Sequence, residues 1–131
     1  MIVLDTHAWI WWVSDPSQLT ARARRAISRA QADTQVHISS ISAWEVALLL
    51  AKGRLSLTLD LTSWIAKSEA LPFLHFVPVD NAIAVSSLRL PGALHADPAD
   101  RIIVATALAL GAPLATADEK LHRYRHVKTI W

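Results

Sequence analysis

At 131 residues the chain is long enough for one domain with a sizeable buried core, and 53% apolar against 18% charged residues is a globular rather than a disordered balance. It has no cysteine, which excludes a disulfide framework, thiolate zinc sites and cysteine nucleophiles. Thirteen Lys and Arg stand against eleven Asp and Glu, so net charge alone does not mark a nucleic-acid binder. No apolar run approaches the roughly 20 residues of a membrane span, and Met1-Ile2-Val3-Leu4-Asp5 lacks the basic flank of a signal peptide. We therefore expect a cytoplasmic protein with no membrane partner.

In chain order, Ile2-Val3-Leu4 reads as a short buried strand ending at Asp5, followed by a helix from Thr6 to Val13. Trp9 and Trp12 share one face of that helix, where core packing explains them; Trp11 points elsewhere and, if exposed, suits a partner. Ser14-Asp15-Pro16-Ser17 breaks the chain, and Thr20 then caps a helix to about Ala32 that carries Arg22, Arg24, Arg25 and Arg29, a run most simply read as a solvated face. Val36 to Ser39 alternates like a strand. A helix from about Ser42 to Lys52 follows, ended by Gly53 in the left-handed conformation, and Ser42-Ala43-Trp44-Glu45 matches a capping box. Asp60 caps a helix over Leu61 to Leu71, Phe73 to Val79 is a strand, and Asp80 caps a helix from Asn81 to Leu90 that Pro91-Gly92 closes. Asp97 caps the next helix, with Pro98 at its first position, Asp100 at its third and Gly111 as its stop. Leu114-Ala115-Thr116 is a strand, Asp118 opens a short helical turn, and Val127 to Ile130 forms a last edge strand.

Strands separated by helices along one chain predict an α/β fold: a single domain over 1–131 whose mainly parallel sheet is covered by helices on both faces. Ligands of open parallel sheets collect beyond the carboxyl ends of the strands. Four acids are expected at that edge. Asp5 follows the first strand, Glu45 starts the helix after the second, Asp100 starts the long helix before the fourth, and Asp118 follows that strand. Gathered carboxylates repel one another by about 4 kcal/mol per pair 4 Å apart at an effective dielectric of about 20. A hard divalent cation removes that penalty, and Mg²⁺ or Mn²⁺ can hold a phosphate while activating water.

These pieces together carry a resemblance. Ile2-Val3-Leu4-Asp5-Thr6-His7, Ser39-Ser40-Ile41-Ser42-Ala43-Trp44-Glu45, the His95-Ala96-Asp97-Pro98-Ala99-Asp100-Arg101-Ile102-Ile103-Val104-Ala105-Thr106-Ala107 segment and Leu114-Ala115-Thr116-Ala117-Asp118 stand in the order and spacing of PIN-domain nucleases. Across essentially its whole length the chain resembles most the VapC-type toxins of type II toxin–antitoxin pairs. The resemblance implies a metal-dependent endoribonuclease in which Asp5, Glu45, Asp100 and Asp118 hold one or two Mg²⁺ or Mn²⁺ ions, with Thr6, Ser42 and Thr116 as supporting hydroxyls. It also implies an RNA substrate, a small antitoxin partner and a homodimer.

Each acid has a plainer role on its own: Asp5 as a helix cap, Glu45 as half of the capping box, Asp100 as a first-turn partner of the helix dipole, Asp118 as a turn residue. Their joint placement at one edge favours the shared site. Asp97 is read as a cap, and His7 and His95 as residues near the site without an assigned role. A phosphoacceptor receiver would need an early acidic pair and a later Lys, and a haloacid-dehalogenase-like phosphatase a second Asp where His7 stands. Gly53, Gly92 and Gly111 form no nucleotide-binding fingerprint. A catalytically inactive PIN-like module binding RNA or protein is the alternative.

Overall fold

The computed structural model describes residues 1–131. Five strands, β1 (Ile2–Leu4), β2 (Val36–Ser39), β3 (Leu74–Val77), β4 (Leu114–Ala115) and β5 (Thr129–Ile130), form one sheet in the order β3-β2-β1-β4-β5, with every neighbouring pair parallel. Parallel neighbours need crossovers, and here they are helical. α1 (Thr6–Ser14), a 3₁₀ turn at Pro16–Gln18 and α2 (Ala21–Ala32) join β1 to β2. α3 (Ile41–Ala51) and α4 (Leu61–Glu69) lead to β3, α5 (Asn81–Ser87) and α6 (Pro98–Leu110) to β4, and α7 (Glu119–His122) to β5.

β1 is the middle strand, and its residues are buried on both faces, which is why it reads as an unbroken apolar run. The pleat sends Ile2 and Leu4 into one core and Val3 into the other. The larger core centres on Trp9, whose ring lies 4.6 Å from that of Trp64 and 5.4 Å from that of Phe76. Its indole N–H donates to Ser68 Oγ at 3.0 Å, so the one polar group of this buried ring is satisfied. The smaller core packs α6, through Ile103, Val104 and Ala107, against Val3, Leu114 and Leu121.

Caps set most helix starts. Thr20 Oγ1 accepts the Ala23 N–H at 3.0 Å, and α2 then buries Ala23, Ile27 and Ala30 while Arg22, Arg24, Arg25 and Arg29 lie exposed, the solvated face expected of them. Asp97 accepts the Asp100 N–H at 2.9 Å with Pro98 at the first helical position, and Gly111 ends α6 at φ +63°.

The expected capping box at Ser42 and Glu45 is absent. α3 begins at Ile41 with Ser40 as its N-cap, so Ser42 lies inside the first turn and Glu45 has moved into the second, beyond reach of a cap. The tight exit from β2 is the cause: Ser39 Oγ accepts the Ile41 N–H, and the helix starts before Ser42 is reached. α5 is shorter than expected and stops at Ser87. The Ser87 hydroxyl donates to the Ala84 carbonyl and the Ser87 carbonyl accepts from Arg101 Nε, which takes this turn's groups away from a continuing helix.

Candidate active site

Order along the sheet places β1 and β4 side by side although β1, β2 and β3 run outward on the other side, so the topology reverses at this pair. Crevices outside the carboxyl ends of such strands are where open α/β sheets hold ligands. A cleft of about 450 Å³ lies there, and its lining includes Asp5, Glu45, Asp97, Asp100 and Asp118 together with Thr6, His7 and Trp11. All four acids singled out in the sequence therefore meet in one cavity, and Asp97 joins them while also serving as the α6 cap.

Each carboxylate is held by a local partner. Asp5 ends β1 and caps α1, accepting the Ala8 N–H at 2.8 Å. Glu45 reaches across from α3 to accept a short hydrogen bond from the Thr6 hydroxyl. Thr6 Oγ1 also lies 2.9 Å from Ser42 Oγ. One hydroxyl proton cannot serve both neighbours, so with the Thr6 proton on Glu45 the Ser42 hydroxyl donates to Thr6. The relay runs from Ser42 through Thr6 to Glu45. Asp100 Oδ2 is 2.6 Å from His95 Nε2, and Asp118 caps α7 by accepting the Lys120 N–H at 2.9 Å. Thr116, fully buried, accepts the Asp118 N–H at 3.1 Å and lies beside the Asp5 carboxylate.

Sequence reasoning did not assign His95 to Asp100. The loop between α5 and α6 gives no periodicity from which the bond can be read, and only the chain's return over the α6 N-terminus brings the imidazole to the carboxylate. Arg101 pins that loop by donating to the Ser87 and Leu94 carbonyls at 2.8 and 3.0 Å.

Burial dominates the electrostatics. It raises the Asp5 carboxyl from 3.8 to about 6, against the opposing pull of the Thr116 hydroxyl and the Ala8 N–H. Glu45 and Asp100 are also raised, chiefly by burial. The Thr6 and His95 bonds oppose those shifts, and the neighbouring acids add to them: Asp100, Asp97 and Asp5 at Glu45, and Asp97 and Asp118 at Asp100. Protons or a cation must offset this crowding.

Oxygen-only, acidic donors fit Mg²⁺ or Mn²⁺ and not a soft metal. As the side chains stand, no three of the Asp, Glu and His groups converge closely enough to hold one ion. They share a cavity without forming a finished cage.

The sequence model for the PIN domain matches residues 2–127. The chain belongs to the PIN-domain family. Ribonuclease VapC22 of Mycobacterium tuberculosis is 32% identical to this PIN domain over 99% of the chain and 98% of the relative. Among solved structures, a toxin–antitoxin complex from Klebsiella pneumoniae matches with a TM-score of 0.63 and 21% identity, over 97% of this chain and 95% of that one. The DNA-bound VapBC structure from Salmonella typhimurium matches with a TM-score of 0.68 and 18% identity, over 98% and 95%. At those identities the two structures show a shared fold. No helix of this PIN domain is long and apolar enough to cross a membrane.

Proposed function

We propose that this PIN domain is an endoribonuclease that hydrolyses RNA phosphodiester bonds and acts as the toxin of a type II toxin–antitoxin pair. The observation that carries the reading is the meeting of Asp5, Glu45, Asp100 and Asp118, from four separate segments, in one cleft at the carboxyl edge of the sheet. The 32% identity to a ribonuclease over nearly the whole chain supports the same reaction.

Asp5, Glu45, Asp100 and Asp118 would hold Mg²⁺ or Mn²⁺, and the ion supplies Lewis-acid polarisation of the phosphate and activation of a water nucleophile. The chain's own contribution is orientation. Thr6 fixes Glu45, with Ser42 behind it; Thr116 ties Asp5 to the Asp118 backbone; His95 steadies Asp100. Each of these bonds engages one carboxylate oxygen and leaves the other available to an ion. Partners that hold ligands in this way typically matter by 10- to 100-fold in metal affinity or activity.

We also assign a small antitoxin as the protein partner, a homodimer as the assembly and the cytoplasm as the compartment. Trp44 and Leu88, 56% and 80% exposed, leave apolar surface for such contacts. Light scattering should give twice the 14.4 kDa chain mass.

The deciding experiment incubates purified protein with RNA in Mg²⁺ or Mn²⁺ and in chelator, then identifies the new ends. Cleavage that needs the metal and leaves 5′-phosphate and 3′-hydroxyl ends is expected. Cyclic phosphates, or full activity in chelator, would instead indicate attack by the RNA's own 2′-hydroxyl.

A further inference from the structure

Carboxylates do not make up the whole lining of the cleft. His7 and Trp11 line it too, and they stand four residues apart on α1, the spacing that puts two side chains on one helix face. Their ring centroids are 5.5 Å apart, and the Trp11 ring is 5.7 Å from that of Trp131, which follows β5. Three rings in series thus run from the acids to the far edge of the sheet. Trp9 packs on Trp64 and Phe76, and Trp12 on Phe73; Trp11 also packs against the margin of that core, but it alone of the three lines the cleft. Trp11 is only half-buried and His7 is exposed.

We propose that His7 and Trp11 form a stacking wall for one nucleobase of the RNA, next to the phosphate that is cut. This rests on the ribonuclease reading and adds how the substrate is held. The argument is one of complementarity. An anionic cleft with one aromatic wall suits a ligand that carries a phosphate and a flat ring a sugar apart, once a cation offsets the acids. A polypeptide on the same wall must instead bring cations to five carboxylates. The cavity volume falls in the 300–1,000 Å³ range of clefts that take small ligands, so a nucleotide unit is of the right scale. Aromatic side chains stack any base through its π-face. A base in a duplex is already stacked, so the wall selects an unpaired, splayed nucleotide: the site should take single-stranded RNA or a loop.

The test is a double-mutant cycle between protein and RNA, using the full chain and a short labelled single-stranded oligonucleotide. Affinity is read by anisotropy with Ca²⁺ as the hard cation, and KM and kcat are read separately with Mn²⁺. Trp11→Ala should weaken binding by roughly 5- to 150-fold, the alanine-substitution cost of one base stack, and raise KM far more than it lowers kcat. Trp11→Phe, which keeps a ring, should recover most of the loss. An abasic nucleotide walked along the oligonucleotide should reproduce the loss in the wild type at one position beside the cleaved bond, and should cost nothing further in Trp11→Ala. The walk in the wild type is independent of whether the alanine variant folds.

An abasic cost that is the same in wild type and Trp11→Ala, or no abasic cost near the bond, overturns the stacking wall while leaving the ribonuclease reading intact. Unchanged RNA affinity in Trp11→Ala with loss of antitoxin binding gives the wall to the protein partner and also overturns it. If the wild type neither binds nor cuts RNA, the ribonuclease reading fails and the inference falls with it.

Discussion

Asp5 holds the least comfortable position of any acid here, buried at the head of β1 and still required as a helix cap. Its carboxyl titrates near 6 in the folded protein and near 3.8 when free, so the metal-free native state binds the extra proton between those values. The stability contributed by the protonated form is complete below about pH 3.8 and is lost as pH rises through about 6, a difference of about 3 kcal/mol. Asp5→Asn keeps an acceptor for the Ala8 N–H and never ionises. In chelator it should match the wild type at pH 4 and become the more stable of the two by up to about 3 kcal/mol at pH 7, as read by urea melts across that range. Cleavage should be lost.

Glu45 is the second residue where stability and function separate. Glu45→Gln still accepts from Thr6 and relieves a charge that burial and three acids oppose. The metal-free variant should be at least as stable as the wild type, while its melting shift with Mn²⁺ shrinks and cleavage falls steeply. A bound ligand adds about 2.7 kcal/mol at a hundred times its dissociation constant, so a weakened site shows directly in that shift. An unchanged shift with unchanged cleavage would reduce the proposed quartet to a trio. Ser42→Ala removes a buried hydroxyl from behind Thr6, costing about 1 kcal/mol, and should shrink the metal shift less than Glu45→Gln does.

Among the elements, α6 was the most legible in the sequence: its cap, Pro98 and Gly111 all stand where residue type alone puts them. Gly111 holds φ +63° with nothing within 4 Å of where a Cβ would sit, so its cost to other residues is conformational only. Gly111→Ala should lose about 1–2 kcal/mol in chemical denaturation, Gly111→Asn less, with cleavage unchanged in both because the substitution lies at the far end of the helix from Asp100. α3 was the least legible. Ser39, Ser40 and Ser42 are all chemically able to cap, and the choice among them is made by how the chain leaves β2, which no local pattern encodes. The same limit hid the bonds that join distant segments. Thr6 to Glu45 spans 39 residues, and the contact of Trp11 with Trp131 closes only when β5 is in place.

For the molecule as a whole, the parallel sheet and the edge that carries the site follow from alternating short apolar runs and helices, whereas the strand order that sets β4 beside β1 does not. What the fold adds is enclosure, since the raised carboxyls and the aromatic wall depend on tertiary packing. Expression of the chain alone should arrest growth, and Asp5→Asn or co-expression of the antitoxin should relieve the arrest. Growth unaffected by a folded wild-type chain would count against the toxin assignment.

The central place of β1 has a temporal consequence. Its Asp5 N–H donates to the Ala115 carbonyl at 3.1 Å, so the first strand to leave the ribosome waits for one of the last before it is paired on both sides. At roughly 5–20 residues per second, more than a hundred residues must be made first, an interval of about 5–20 s. Throughout it the nascent chain carries Asp5 and then Glu45 without the neighbours that gather them. Translation thus leaves the proposed site unassembled until near the end of synthesis.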